Sequence, residues 1–425
     1  FGSSCIFGKQ FCFHLEHLCK FFLMEGLVET LRQIQGNDNA LRKEAEKRFT
    51  EAKASQPGQT VEHLFGVVES TQVEQPVREQ SAVLLRQCLG KVNDADSIWS
   101  KLGAAQQQVR AKLLQLLEGE PVPQVRRQVA DIVQSLGNQI IDIDEEQRPA
   151  NCEQWPELMP MLIRVVCDTS KDSGVRADCV WAVKELVLSV WQVLIASGDQ
   201  TVQVLKLCLT DAGSEAVRAN AATLLCEIVE NTTTKSDRAR FAPLVPDLCT
   251  VVAALAQGGD KKLLDTALQA LQMTPESADF FKEYVGSHMM PMCVAIGKSY
   301  SDGDTRKLAV EVIVSMAESK PKTMLKVQGY LQQAFDVFIT LLGNMDEDLE
   351  AWAEELEEGD DSEDQHQCGK EALDRVCRAM HRVEQFAPCL EVLKPFIAAS
   401  FQSGDWKQTT SGIVALSQIS EYIDE

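Results

Sequence analysis

The chain is predicted to be all-α, an α-solenoid (superhelix) of HEAT repeats with about nine helix pairs, and three observations predict this. Apolar residues recur at the offsets of one helical face: in VRRQVADIVQSLG they fall at Val125, Val129, Ile132, Val133 and Leu136. The same offsets return along the whole chain, from Val77, Val175, Val217, Asp260, Thr305 and Gly369, with weaker copies from Leu41 and Trp406. Aromatic residues make up only 6% of the 425 residues, while Leu, Ala, Val, Gln and Glu are abundant, which favours helix over a β-sandwich or barrel.

The elements follow in order. Residues 1–23 hold six of the 16 phenylalanines, and Met24 then opens the amphipathic stretch EGLVETLRQIQ. Lys9, His14, Glu16, His17 and Lys20 interrupt any apolar centre, so this is not a signal peptide, and the expectation is an upstream-translated extension. Cys12, His14, His17 and Cys19 are too compressed for a zinc finger. The anchors at 41, 77, 125, 175, 217, 260, 305, 369 and 406 mark the second helix of each pair. The residue after the anchor is basic in nearly every copy: Arg42, Arg78, Arg126, Arg176, Arg218, Arg306, Lys370 and Lys407, with Lys261 at the same register. A first apolar helix precedes many anchors, at 104–117, 156–167, 201–209, 243–256, 288–300, 330–342 and 388–401, several starting near Pro156, Pro243, Pro291 or Pro388. Two helices per unit and a period of about 40–47 residues are the HEAT signature, and stacked pairs bury the faces that one pair cannot.

The spacing between anchors 305 and 369 is 64, and the stretch 346–364 accounts for the excess, since without its 19 residues the spacing is an ordinary 45. The expected organisation is therefore N-terminal repeats at 24–140, central repeats at 141–345, an insertion at 346–364 and further repeats at 365–425. The insertion carries 12 acidic residues and no Lys or Arg, more than half of the net charge of −22. Such a run stays extended and solvated. Because it interrupts a regular array and carries Trp352 and Leu356, it reads as a docking segment for a basic partner. Its candidate contact residues are Asp346, Glu347, Asp348, Glu350, Trp352, Glu354, Glu355, Glu357, Glu358, Asp360, Asp361, Glu363 and Asp364.

A chain this acidic repels nucleic acid phosphate. The 14 cysteines contain no CxxC, and Cys88, Cys167, Cys179, Cys208, Cys226, Cys249 and Cys293 sit singly among apolar residues, as buried free thiols would in a reducing compartment. No sequence run approaches the roughly 18 apolar residues of a membrane helix. No catalytic, cofactor or metal site is expected: GxGxxG, HExxH and GxSxG are missing, Gly297-Lys298-Ser299 lacks the first glycine of a phosphate loop, and Cys377 beside His366, Cys368 and His381 falls on an apolar helix face.

The blocks RKLAVEVIVSMAES (306–319), DEDLEAWAEELEEGDD (346–361), EALDRV (371–376) and GDWKQTTSGIVALSQISE (404–421), with VREQSAVLLRQCL (77–89) earlier, occur in an order that resembles the importin-beta (karyopherin-beta) family, importin-five type. The resemblance covers 24–425, departs at Gln408-Thr409-Thr410, and leads to the expectation that the array continues beyond Glu425. It implies a non-enzymatic nuclear import receptor, shuttling between cytoplasm and nucleus. Such a receptor binds basic cargo with nuclear localisation signals, passes the pore on phenylalanine–glycine nucleoporins and releases cargo to the small GTPase Ran in its GTP form. It also implies Ran contacts at the repeats around 24–140 and at 346–364. The alternative is a non-transport HEAT scaffold, phosphatase-scaffold-like or tubulin-binding, which would lack the acidic, tryptophan-bearing insertion followed by EALDRV.

Overall fold

The computed structural model describes residues 25–92, 94–141, 155–272, 274–345 and 365–423. The 1–23 extension, with Cys12, His14, His17 and Cys19, lies outside the described residues, as does the insertion 346–364. Every regular element among the described residues is helical. The chain divides into two compact units, one up to Val190 and one from Trp191 onward.

The first unit holds α1 (25–35), α2 (Asn39–Ser55), α3 (Pro57–Glu69), α4 (Gln75–Leu89), the short α5 (Ile98–Leu102), α6 (Ala105–Gly119), α7 (Pro123–Ile141), α8 (Leu158–Cys167) and α9 (Ser173–Glu185). The chain then turns at Leu186 into α10 (Val187–Ala196). The second unit continues with α11 (Gly198–Leu209), α12 (Glu215–Asn231), α13 (Lys235–Phe241), α14 (Val245–Ala256), α15 (Lys261–Ala270), α16 (Pro275–Phe281), α17 (Met290–Ser299), α18 (Gly303–Ser319), α19 (Pro321–Met324), α20 (Tyr330–Leu342), α21 (Gln365–His381), α22 (Ala387–Ser400) and α23 (Trp406–Ser420).

Eight of the nine anchors fall in α2, α4, α7, α9, α12, α18, α21 and α23, each within four residues of the helix start, and the ninth, Asp260, is the capping residue of α15. The expected first helices appear as α6, α8, α11, α14, α17, α20 and α22, and α1 and α3 complete the pairs of α2 and α4. In the first unit the second helices α4, α7 and α9 pack in succession; in the second unit α12, α15, α18, α21 and α23 do the same, beside the row α11, α14, α17, α20 and α22. The sequence chooses the starts of these helices by capping. Asp38, Asp172, Ser214, Asp260, Asp302 and Asp405 accept hydrogen bonds from first-turn amides of the second helices, while Pro57, Pro291 and Pro388 sit in first turns where no amide is needed.

The predicted face is the core. Val125, Val129, Ile132, Val133 and Leu136 are buried, as are Leu224, Leu225, Val312 and Ile313. The two weak copies differ: Leu41 is 52% exposed and Trp406 is 40% exposed. Cys167 is exposed, contrary to the expectation of a buried thiol, because it ends α8 at the turn; Cys88, Cys179, Cys208, Cys226, Cys249 and Cys293 are buried and free. Burial pushes the Cys88 thiol up to about 11 and Cys179 and Cys249 to about 12, so they stay protonated. The expectation of no membrane-length run also needs correcting. The helical run Lys235–Ala256 is long and apolar enough to cross a membrane, but Phe241, Leu244, Leu248 and Val252 within it are buried against neighbouring helices, as in a core helix.

The recurring basic residue has a structural role. The last carbonyls of a helix have no partner within it, and here a guanidinium from the next helix answers them. Arg78 donates from Nε and Nη2 to the Val68 carbonyl at the end of α3, at 2.9 and 2.6 Å. Arg126 donates to the Glu120 carbonyl beyond α6 at 3.0 Å, Arg176 to Val166 in α8 at 3.1 Å and Arg218 to Asp211 beyond α11 at 2.6 Å. Arg306 does the same to Tyr300 beyond α17. Each bond fixes the turn of a pair and places positive charge at the negative end of a helix.

Buried guanidinium also needs a carboxylate. Arg78 and Glu120, both with side chains 3% exposed, form an ion pair, and Arg126 reaches Asp178 of α9 at 2.6 Å. In the first unit the staple inside one pair is therefore tied to the next pair. Removing one partner from such a buried ion pair costs about 3–5 kcal/mol.

The stacking predicts a stability hierarchy at Ile313, which is fully buried in α18. Ile313→Val should cost about 1 kcal/mol, the loss of one methylene. Ile313→Asp should cost on the order of 4 kcal/mol, because a carboxylate is buried without a partner. Urea unfolding midpoints of the two variants measure both, and equal shifts would contradict the packing.

Candidate partner-binding surface

The acidic insertion leaves the array between α20 and α21, the two helices of one pair. Trp352 and every acidic residue of 346–364 lie outside the described residues, but both roots of the segment are described. At the incoming root, Lys407 Nζ, two residues beyond the Asp405 cap of α23, donates to the Met345 carbonyl at 2.8 Å. At the outgoing root, Gln365 Nε2 donates to the Gly303 carbonyl at 3.1 Å and the buried His366 donates from Nδ1 to the Leu342 carbonyl at 2.8 Å. The roots are thus tied to the starts of α18 and α23 and to the end of α20. One turn later the helices almost touch: a Cβ on Gly369 would lie 2.7 Å from the Phe338 carbonyl oxygen, so only glycine fits. These contacts fix where a strongly negative segment enters and leaves the array.

EALDRV, which follows the insertion, is a clamp. Leu373 and Val376 are buried. Arg375 donates to Glu311 at 2.6 Å and to both oxygens of Glu318 at 3.0 and 2.8 Å, bridging α21 to α18, and these carboxylates hold the guanidinium charged. Asp374 accepts from Arg378 and from the Tyr422 hydroxyl beyond α23. The motif therefore joins its pair to the pair before and the pair after. His366, Cys368, Cys377 and His381 do not assemble, and among the described residues no group of three or more His, Cys, Asp or Glu could hold a metal ion.

A second feature had no signal in the periodicity. Grooves open between successive first helices: about 880 Å³ between α20 and α22, lined by Leu331, Tyr330, Pro388 and Val392; about 520 Å³ between α14 and α17, lined by Ala253, Met292 and Ile296; and about 340 Å³ between α6 and α8, lined by Ala111, Leu114 and Met161. Helical spacing names the buried face but not the gap between two neighbouring first helices. In the third groove Glu118 accepts from Arg164 at 2.6 Å and lies 2.7 Å from Lys171. These two hydrogen bonds, Arg164 first, hold its carboxyl at about 2 against an ordinary 4.5.

In the repeats expected to meet Ran, α2 is polar almost all round, with only Ala45 and Phe49 buried, and its capping aspartate is followed by exposed Arg42, Glu44 and Glu46. Arg32 of α1 pairs with Glu74 at 2.8 Å, which closes the first two pairs together.

Fold and roots define an α-helical HEAT-type solenoid with an acidic insertion in one turn. Family models described as "IPO5-like, TPR repeats" and "Importin repeat" match residues 121–287 and 300–381, together more than half of the chain. A probable importin-5 homolog of Dictyostelium discoideum is 20% identical over 405 residues, 94% of this chain and 36% of the relative. Importin subunit beta-3 of Saccharomyces cerevisiae is 22% identical over 414 residues, 93% of this chain and 35% of the relative. Among solved structures, Kap121p bound to RanGTP superposes with a TM-score of 0.73 at 20% identity, over 94% of this chain and 36% of that one. Kap121p bound to Pho4p gives 0.70 at 20% identity, over 94% and 37%. The chain belongs to the importin-beta family, importin-five type. It spans about a third of the length of these relatives.

The Glu118 cluster carries a pH prediction. Because the folded carboxyl is depressed from 4.5 to about 2, its contribution is full above pH 4.5 and is lost as pH falls towards 2. Urea unfolding of Glu118→Gln against the unmodified chain should show a stability gap at neutral pH that shrinks below pH 4.5. A gap that stays constant down to acid pH would assign the effect to packing instead.

Proposed function

We propose that this chain acts as a nuclear import receptor, moving between cytoplasm and nucleus, which binds basic cargo and gives it up when Ran in its GTP form binds. The observation that carries this is the insertion: 12 carboxylates and no cation in 19 residues, rooted at both ends in the array of an importin-five-type chain. A segment of that charge attracts basic side chains and speeds their encounter. Trp352 supplies apolar contact at the middle of the charge, where tryptophan is often the residue on which binding energy concentrates. Support also comes from relatives: Kap121p has been crystallised with RanGTP, with Pho4p, with Ste12p and with Nup53p.

Release follows from competition. Ran-GTP engages the repeats around 24–140 and the insertion 346–364, and cargo uses an overlapping acidic surface, so each lowers the affinity of the other by the same factor. Passage through the pore uses the grooves between first helices, whose apolar linings suit the phenylalanine side chains of phenylalanine–glycine nucleoporins. The reaction is binding and exchange, without covalent chemistry.

Two measurements test this. Capture on immobilised Ran should retain the chain with GTP and not with GDP; equal capture of both forms by the folded chain, or none, would return it to the scaffold class. Replacing Asp346, Glu347, Asp348, Glu350, Glu354, Glu355, Glu357 and Glu358 by Asn or Gln should lower the association rate for Ran-GTP or for a basic import-signal peptide. The salt dependence should flatten at the same time, since exposed charges act within about 8 Å at physiological salt. Trp352→Ala should mainly raise the dissociation rate. Rates identical to those of the unmodified chain at every salt concentration would make the insertion a spacer.

A further inference from the structure

Two thiols that the import reading does not use meet across the turn between α21 and α22. Cys377 lies seven residues before Glu384, and Cys389 lies five residues after it. The turn is tight. The Glu384 amide donates to the His381 carbonyl at 2.8 Å, the Gln385 amide donates to Met380 at 3.0 Å, and Glu384 takes the left-handed conformation at φ 60°. A connection this short keeps the last turns of α21 beside the first turn of α22. Both cysteines are fully buried and free, and their thiols are hydrogen-bonded to one another.

The surroundings keep the pair reduced while the turn is closed. The hydrogen bond to Cys389, and then burial, hold the Cys377 thiol well above its ordinary value of 9, so it stays protonated and unreactive. The rings of His381, Phe386 and Tyr422 gather at the same turn, with centroids 6.3, 5.6 and 5.3 Å apart. The Tyr422 hydroxyl also donates to Asp374 at 2.5 Å. Reaching the thiols from this end means parting that ring cluster, a local opening rather than unfolding.

We propose that Cys377 and Cys389 form a redox lock, in which a peroxide oxidises the two thiols to a disulfide that ties α21 to α22. When the turn opens, one thiol loses its proton and its sulfur attacks the peroxide O–O bond. That sulfur becomes a sulfenic acid, and the departing hydroxide takes the proton and leaves as water. The second sulfur then attacks the sulfenic sulfur, the S–S bond forms and a second water departs. Two thiols thus give two electrons and two protons to one peroxide, and a dithiol reductant reverses the change. The disulfide closes a loop of about a dozen residues and removes the freedom of the turn. α21 begins at the outgoing root of the insertion and carries the Arg375 clamp, while α22 forms one wall of the groove of about 880 Å³. The lock therefore stiffens the array between these two features; any effect on transport rests on the import reading, and the lock itself does not.

The test treats the full chain with hydrogen peroxide, alkylates the remaining thiols in denaturant and maps disulfides by mass spectrometry of tryptic peptides. A linked pair joining Cys377 to Cys389 is expected, and dithiothreitol should abolish it. Hydrogen exchange should show amide protection in α21 and α22 raised about tenfold or more in the oxidised chain over the reduced one. The gain should be absent in Cys389→Ala, whose treated and untreated forms should exchange alike. The proposal is overturned if Cys377 and Cys389 are recovered alkylated or linked to other cysteines. It is overturned equally if the linked chain exchanges in α21 and α22 as fast as the reduced one. None of these readouts involves Ran, so failure here leaves the import reading standing, and failure of Ran-GTP capture leaves the lock standing.

Discussion

The arrangement depends on how buried helix ends are satisfied. Where one helix stops and the next doubles back, the last carbonyls of the first helix are shut away from water and each unpaired group is costly. Arg78, Arg126, Arg176, Arg218 and Arg306 answer them from the first turn of the following helix. A hydrogen bond from a charged donor is worth about 1.5–3 kcal/mol, but the charge must itself be balanced. Glu120 balances Arg78 through its carboxylate and serves Arg126 through its carbonyl, while Arg126 passes on to Asp178. In the second unit the same edge is closed by lighter groups. The Asp260 amide donates to Glu215 at 2.7 Å, Thr305 donates to Asp265 at 2.6 Å, and Lys261 lies near both Asp265 and Asp302.

This edge can also carry the insertion. Like charges along the 19 residues of 346–364 favour solvation over packing. Their cost falls on the roots, where backbone carbonyls are interrupted. Lys407, Gln365 and His366 satisfy Met345, Gly303 and Leu342 there, using side chains from the same turn edge. Arg375 and Asp374 then restore contact with the neighbouring pairs within about three helical turns. An array built this way can carry a dense run of carboxylates while the helices at its roots stay in register.

Much of the fold was legible because the period is long and each second helix repeats the same buried offsets. Val125 to Leu136 and Thr305 to Met316 are buried as their spacing requires. The short helices α5, α13, α16 and α19 escaped because one or two turns hold too few apolar positions to define a face. α10 escaped because VLSVWQVLIA runs on from α9 without Gly or Pro, and nothing local marks the turn at Leu186. The basic register was visible in the sequence but its purpose was not, since Arg78, Arg126, Arg176, Arg218 and Arg306 donate to carbonyls, which leave no trace in composition. The acidic residues from Asp346 to Asp364 were found as a composition break, and it is their roots, at Lys407 and His366, that no sequence pattern announced. The grooves between first helices depend on the distance between elements, which periodicity does not encode.

The buried arginine joins its own helix pair to the next, so that pairs open together. Native-state hydrogen exchange on Arg126→Met tests it most directly. A joint loss of amide protection is expected in α6, α7 and α9, the helices tied through Glu120 and Asp178, with the second unit unchanged. Loss confined to α7, or spread evenly over the whole chain, would contradict it.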